Sequence, residues 1–365
     1  MTVPGGHERV LAIRLDTIGD VIMTTPALGA MAEASAEVTL LTSSFSRSLA
    51  PMLPYLRDVI PLDVPWMKPA EKHLDPSGSH LATLDRLRER EFDLAVVFTV
   101  STQDPSCAAY LAYLCGIPKI AAHVRGKLYG LVTHPVFDTD EWPPTRHEVR
   151  RQIDLVSALG YTTEDTRLRL ELPTPTRRAQ AIADQLGSQP WCLMHPGATA
   201  PSRRYPNRLW ARVADLLEQR GIRVVLAGGK HDRARCADLA HRCSVPPVRV
   251  DARLALPELA TVMAAAPVAV TCNSAAAHLA SAFDTPLVTL YAGTNPQHTP
   301  WTERATVLRR DTECTWCLSS TCCHHAPICI ASLEPEVVAD AVTAQLARAS
   351  GSVLLGKGLA TVTTR

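Results

Sequence analysis

An acidic residue, Asp20, ends the turn of residues 16–20, where a strand pattern gives way to a helix pattern. Val10 to Ile13 is a short, β-rich apolar run that predicts a buried strand. Residues 21–31 predict the following helix, with Pro26 early enough to sit in a first turn or mark a kink. Asp20 would then lie at the carboxyl end of the strand. Open α/β folds bind ligands at that edge of the sheet, where a carboxylate can act as a general base. On this segment alone, an ordinary helix cap is the more common explanation.

Three turns in the second half share one physical logic, because each brings small or polar residues to the end of an apolar strand pattern. Taken singly, Gly228-Gly229 is usually only a tight turn, and Asn273-Ser274 is an ordinary cap pair. A lone histidine such as His278 is more often a hydrogen-bonded, partly buried side chain than a ligand contact. Helix starts and glycines let a phosphate approach the backbone, and arginine suits a diphosphate. Together they indicate a diphosphate site made by His195 and Gly197 with Arg203 or Arg204, by Gly228 and Gly229, and by Asn273 and Ser274 with His278 on the next helix.

Composition and charge exclude several classes of protein. The 365 residues are too many for one ordinary core and fit two domains. The net charge of +1 and the few aromatic residues give no basis for a nucleic-acid partner. No apolar run is long enough to span a membrane, and the N-terminus lacks a secretion-signal pattern. We therefore expect a cytoplasmic chain.

Strand and helix patterns alternate along both halves of the chain, which predicts parallel sheets built from βαβ units. The expected fold class is α/β, with two doubly wound, Rossmann-like domains facing a cleft. Residues 1–175 form the first domain and residues 176–330 the second. A helix pattern lies within 331–350, and residues 351–365 show no pattern and are expected to be mobile.

Four segments, in a consistent order and spacing, carry a family signature. They are the Gly-Asp turn and Thr-Pro-Ala-Leu of residues 19–28, the His-Pro-Gly-Ala and Ser-Arg-Arg-Tyr-Pro of 195–206, the Ala-His-Leu-Ala of 277–280, and the loop 291–301. Over nearly the whole chain they resemble glycosyltransferase family 9, the heptosyltransferase family. The resemblance implies a GT-B fold whose last helix crosses back to the first domain. It also implies metal-independent transfer with inversion, and donor binding in the second domain.

The resemblance assigns roles to the matching residues. Asp20 matches the family's general base, which deprotonates the acceptor hydroxyl. Arg203 stands where the family often has a lysine near the donor diphosphate, so that a cation replaces a metal there. Asn273, Ser274 and His278 fall in the segment facing the nucleotide and diphosphate. Thr294 falls in the adjoining loop and completes the expected donor-binding set.

The resemblance therefore implies transfer of heptose from ADP-heptose onto a lipopolysaccharide-core-type acceptor, with no cofactor in catalysis. Because such an acceptor is lipid-linked, we expect peripheral association with the inner face of the cytoplasmic membrane. Candidates to meet its acidic groups are Arg125, Lys127, Arg150 and Arg151, although surface arginines are more often simply solvated.

The chain departs from the family pattern in three places, one of which is Arg203 in place of the usual lysine. Asn273 replaces an aspartate, and Ala275-Ala276 replace Gly-Pro, which leaves the donor in more doubt than the reaction class. The alternatives are a GT-B enzyme that uses another nucleotide sugar, or a catalytically idle GT-B-like binding protein. A dehydrogenase is excluded, because no Gly-x-Gly-x-x-Gly follows a strand.

A cysteine-rich segment near residue 320 is the second chemical feature of the chain. Cys314, Cys317, Cys322 (or Cys323) and Cys329 could hold a structural zinc ion outside the catalytic step. A disulfide clip and a loop of unliganded thiols are the alternatives. The other six cysteines lie mostly in apolar contexts and are expected in the core: Cys107, Cys115, Cys192, Cys236, Cys243 and Cys272.

Overall fold

A computed structural model describes residues 8–34, 36–67, 79–140, 145–186, 189–251, 254–313, 316–322 and 328–349. The chain divides into two compact units, Met1–Glu171 and Leu172–Arg365. This boundary lies four residues before the end of the predicted first domain.

The first unit is a parallel sheet of six strands in the order β3-β2-β1-β4-β5-β6. Its central strands are apolar and buried, as expected for a sheet covered by helices on both faces. In chain order its elements are β1 (Arg9–Arg14), α1 (Ile18–Glu33), β2 (Glu37–Thr42), β3 (Asp58–Pro61), α2 (Ser79–Arg88), β4 (Leu94–Val97), α3 (Ser106–Leu114), β5 (Lys119–Val124), β6 (His134–Phe137) and α4 (Glu148–Ser157).

Helix α1 begins at Ile18, three residues before the predicted helix pattern, and it continues through Pro26. A proline inside a helix leaves the carbonyl four residues earlier without its backbone donor. Here the Thr25 hydroxyl donates to that carbonyl, Ile22 O, at 2.7 Å. The helix therefore keeps its acceptor satisfied and runs on into the core.

The second unit repeats the design with a parallel sheet in the order β12-β11-β10-β7-β8-β9. Its elements are α5 (Arg177–Leu186), β7 (Trp191–His195), α6 (Asn207–Gln219), β8 (Arg223–Leu226), α7 (Arg233–Arg242), β9 (Val248–Arg249), α8 (Leu256–Ala265), β10 (Ala269–Cys272), α9 (Ala275–Ala282), β11 (Leu287–Leu290), β12 (Ala305–Leu308), α10 (Ile328–Ala331) and α11 (Pro335–Ala349).

Helix α11 packs on α6, β11 and β12, so it belongs to the second unit. Its residues Val338, Ala339 and Val342 are fully buried in the core that also contains Trp210. The expected crossing of this helix to the first domain stays a prediction. The apolar stripe of α11 is used within its own unit.

None of the helices among the described residues is both long and apolar enough to cross a membrane.

Candidate active site

The carboxyl ends of the second sheet hold the turns that sequence analysis selects for the donor. From β7 the chain moves to β8 on one side and later to β10 on the other. The ends of β7 and β10 therefore form the topological switch point, where open α/β sheets bind ligands. His195 ends β7 and Asn273 directly follows β10, so their turns flank this crevice.

The turns after β7 and β8 are joined by Asp232, a carboxylate that sequence analysis misses. A Cβ at Gly197 would collide with the Asp232 carboxylate, and a Cβ at Gly228 would lie 2.9 Å from Asp232 Cβ. Asp232 Oδ2 also accepts a hydrogen bond from Gly229 N at 3.1 Å. Asp232 thus fills the space that the glycines leave. The spacing from Gly229 to Asp232, typical of a helix-capping pair, is the signal that could have found it.

His195 is buried beneath these turns. Burial lowers the pKa of its imidazole, and the nearby Asp232 carboxylate opposes that shift. The ring is therefore neutral near pH 7 and can supply a hydrogen bond without adding charge.

The two adjacent arginines have different surroundings. Arg204 donates from Nε to Ala198 O at 2.8 Å and from Nη2 to Thr199 O at 3.1 Å. It therefore braces the backbone of the first turn. Arg203 Nε is buried and has no hydrogen-bond partner among the described residues. Arg203 is thus the cation of the pair that is available to a diphosphate.

Two hydroxyl groups at the same edge also lack partners within the described part of the chain. They are Ser274 Oγ and Thr294 Oγ1, both buried. Ser274 is the N-cap of α9 but makes no side-chain cap bond, so the first N–H groups of that helix remain open to an anion. His278 is buried one turn further along α9. Since buried polar groups are nearly always hydrogen-bonded in folded proteins, this edge is prepared for a polar ligand.

The first unit places Asp20 at the carboxyl end of its own sheet, as the third residue of α1. Asp20 Oδ2 accepts hydrogen bonds from Thr17 N at 3.1 Å and from the Thr17 hydroxyl at 2.7 Å. Its Oδ1 lies 3.6 Å from Arg14 Nη2. The N-cap itself is Thr17, so Asp20 belongs to a capping box while its second oxygen faces an arginine.

Arg14 is fully buried and lies among three carboxylates, an arrangement that sequence analysis misses. Its guanidinium lies 3.2 Å from Asp16 Oδ2, 3.2 Å from Glu148 Oε1 and 3.6 Å from Asp20 Oδ1. Burial raises the pKa of Asp16 to about 6, although Arg14 opposes the shift. Burial also disfavours the charged form of Arg14, but the three carboxylates outweigh it and raise the pKa of Arg14.

Side chains near the start of helix α4 connect this cluster to the chain after β4 by hydrogen bonds. Gln152 donates to Glu148 and, at 3.0 Å, to Thr99 O just after β4. Arg151 also donates to Thr99 O and pairs with Asp138 at 3.1 Å. Arg151 is therefore buried and structural, which corrects its prediction as a surface group for the acceptor.

The other predicted acceptor residues of the first unit are exposed. Arg125 and Lys127 follow β5, at the same sheet edge as Asp20, and Arg125 pairs with Asp138 at 3.4 Å. Arg150 is exposed on α4. Their contact with an acceptor stays a prediction.

Comparison with known proteins decides the family. The model of glycosyltransferase family 9 (heptosyltransferase) matches residues 81–326. The chain belongs to this family. It is therefore an enzyme, a glycosyltransferase, and the expected family and GT-B fold are confirmed.

Relatives of this family 9 enzyme match it over nearly its whole length. Lipopolysaccharide heptosyltransferase 1 of Pseudomonas aeruginosa is 26% identical over 93% of this chain and 98% of its own. The solved structure of E. coli ADP-heptose lps heptosyltransferase II has a TM-score of 0.71 at 23% identity, covering 94% of this chain and 99% of that one. E. coli heptosyltransferase WaaC with ADP gives a TM-score of 0.67 at 20% identity, covering 92% and 99%.

The cysteine segment of this family 9 enzyme is hydrogen-bonded to two loops at the carboxyl edge of the second sheet. Cys317 N donates to Gly293 O at 3.1 Å, and Leu318 N donates to Thr294 O at 2.8 Å. Ser202, next to Arg203, donates from Oγ to Ser319 O at 2.8 Å and from N to Ser320 O at 3.1 Å. The segment therefore holds both the Arg203 turn and the Thr294 loop.

The predicted metal ligands are only partly placed. Cys317, Cys322 and Cys329 line one cavity of about 110 Å³ together with Ser202 and Thr294. Within the described ranges no three His, Cys, Asp or Glu side chains are arranged to hold a metal ion, and Cys314 lies outside those ranges. The described residues alone therefore do not make a zinc site, which stays a prediction.

The remaining cysteines largely follow expectation. The buried ones are Cys115, Cys192, Cys236 and Cys272, with Cys243 half-buried. Cys107 is exposed on α3, which corrects its placement in the core.

Proposed function

We propose that this family 9 enzyme transfers heptose from ADP-heptose to a sugar hydroxyl of a lipopolysaccharide-core-type acceptor, with inversion. The observation that carries the proposal is the set of unsatisfied polar groups at the second switch point: Arg203 Nε, Ser274 Oγ and Thr294 Oγ1. These groups can donate hydrogen bonds to the phosphate oxygens of a nucleoside diphosphate. The relatives named for lipopolysaccharide and ADP-heptose support this choice of substrates.

In the proposed reaction, Asp20 accepts the proton of the acceptor hydroxyl as that oxygen attacks the anomeric carbon. The new carbon–oxygen bond forms as the bond to the diphosphate breaks, and ADP leaves with the bonding electrons. A single displacement of this kind inverts the anomeric configuration. Arg14, 3.6 Å from Asp20 Oδ1, favours the ionised carboxylate that can accept the proton.

Negative charge grows on the departing diphosphate, and two features of the second unit can stabilise it. Arg203 supplies a cation, and the uncapped start of α9 supplies N–H groups. We propose that these replace a metal ion in catalysis. Transfer requires that both units reach the same pair of substrates. Because a lipid-linked acceptor is anchored in the membrane, we propose that the enzyme works at its cytoplasmic face.

The test is a transfer assay with a delipidated core oligosaccharide as acceptor, with ADP-heptose, ADP-glucose or UDP-glucose as donor, and with excess EDTA in parallel. We expect ADP-heptose to be used most efficiently, EDTA to leave the rate unchanged, and NMR of the product to show the inverted anomer. A preference for UDP-glucose would overturn the donor assignment. Tight ADP binding without transfer from any donor would instead support an idle binding protein.

A further inference from the structure

The first unit has its own cavity at the switch point of its sheet. Strands β1 and β4 are neighbours, and the chain leaves them towards opposite edges of the sheet. A cavity of about 320 Å³ opens at their carboxyl ends. Its lining includes apolar side chains, the polar side chains of Asp16, Gln103 and Asp104, and the indole of Trp66.

The polar group at this cavity is held in a fixed geometry. Gln103 donates from Nε2 to Asp16 Oδ1 at 2.6 Å, and its side-chain oxygen Oε1 accepts a hydrogen bond from Val100 N at 3.0 Å. Arg14 lies on the other side of Asp16, at 3.2 Å from Oδ2. Asp16 is only 6% exposed, so its carboxylate has little room to move. A carboxylate fixed in this way can accept a hydrogen bond from a ligand hydroxyl at one defined position.

The charged side chains among the described lining residues of the cavity are both carboxylates. Asp16 and Asp104 line it, whereas none of the described lining residues is a lysine or arginine. Arg14, the described cation that pairs with Asp16, is fully buried and also faces Asp20 and Glu148. A carboxylate or phosphate entering this cavity would meet these like charges, which oppose its binding. An uncharged, hydroxyl-bearing ligand would not.

The aromatic side is suited to the same ligand. Trp66 is 42% exposed and lines the same cavity as Asp16 and Gln103. An indole face covers the C–H side of a sugar ring, while fixed polar groups take its hydroxyls.

We propose that this cavity binds the reacting sugar of the acceptor, that Asp16 accepts a hydrogen bond from one of its hydroxyls, and that this sugar is therefore neutral rather than acidic. The inference rests on the proposed transferase function. It adds Asp16, Gln103 and Trp66 as acceptor-binding residues and assigns the proton-accepting step to Asp20 alone.

Two variants test the role of the cavity. Asp16→Asn keeps the shape of the side chain and Trp66→Ala removes the aromatic face, while Asp85→Asn, on exposed α2, is the matched control. We expect both cavity variants to raise the acceptor KM at least about 10-fold, with kcat changed less and ADP affinity unchanged. The control keeps wild-type values. Unaltered acceptor KM in both cavity variants would overturn the proposal.

A second pair of measurements separates this inference from the proposed function. Ligand-observed NMR compares binding of a neutral methyl heptoside with that of a methyl uronate, and needs no turnover. We expect the neutral sugar to give a saturation-transfer NMR signal with the wild type and to lose it with Trp66→Ala. The uronate should give a weaker NMR signal, which recovers with Asp16→Asn. Stronger binding of the uronate by the wild type would overturn the inference even if transfer is observed. Neutral-sugar binding without any transfer would leave the cavity assignment standing and count against the transferase proposal.

Discussion

The buried Arg14 cluster makes a strong prediction about stability. Arg14→Met removes the only cation described within hydrogen-bonding range of Glu148, whose side chain is fully buried, and leaves Asp16 and Asp20 beside it. Breaking a buried ion pair by removing one partner costs about 3–5 kcal/mol. That is a large part of the roughly 5–15 kcal/mol by which folded domains are stable.

The assay is urea unfolding followed by tryptophan fluorescence at pH 7. Arg167→Met, in an exposed loop, is the matched control and should keep the wild-type midpoint. Adding Glu148→Gln to Arg14→Met should recover part of the lost stability, because it removes the carboxylate that has the least access to water.

The deficit of Arg14→Met should also depend on pH. The folded-state pKa of Asp16 is already raised to about 6, and loss of Arg14 raises it further. A carboxyl group whose pKa is raised in the folded state stabilises that state when it is protonated. This contribution is fully present at a pH below the unfolded-state pKa, and it is lost as the pH rises through the folded-state pKa. The deficit should therefore be larger at pH 7 than at pH 5. A deficit under about 1 kcal/mol at pH 7, or one that grows towards pH 5, would refute this reasoning.

Three further predictions concern the donor edge. Arg203→Ala should weaken ADP binding about 10- to 100-fold by calorimetry, whereas Arg204→Ala should mainly lower the thermal midpoint; equal ADP affinity in wild type and Arg203→Ala would contradict the assignment. Gly197→Ala should destabilise the second unit by collision with Asp232, and adding Asp232→Ala should relieve part of that loss, so a Gly197→Ala chain as stable as wild type would exclude the collision. Elemental analysis should find about one zinc per chain in the wild type and less in Cys317→Ser; a metal-free wild type would remove the zinc prediction.

Much of the fold can be predicted from local patterns. The central strands are apolar runs that end in turns, so Val10–Ile13 is recognisable without tertiary information. The apolar run from Leu94 to Val100 likewise predicts a strand, of which the structure keeps Leu94–Val97. The edge strand His134–Phe137 is missed because it is largely exposed and carries no apolar run. The elements on which α11 packs are not readable from its sequence, because an apolar stripe does not identify its partners.

The candidate site follows the same division. Turns that end strands, such as those at Asp20 and Asn273, are visible as local sequence patterns. The roles of Arg14 and Asp16 are not, because they arise from contacts with distant residues: Glu148 is 134 positions from Arg14, and Gln103 is 87 positions from Asp16. Burial turns these ordinary surface residue types into a fixed charge cluster, and sequence spacing carries no record of that burial.

The most direct test of the account is the turnover of Asp20→Asn with ADP-heptose and a neutral-sugar acceptor. Asparagine keeps the shape and can still accept the Thr17 hydrogen bonds, but it cannot take a proton. Loss of a general base lowers kcat by about 10²- to 10⁴-fold, so we predict a fall in that range with ADP affinity unchanged. A kcat equal to that of the wild type would contradict the assignment of Asp20 and, with it, the proposed mechanism.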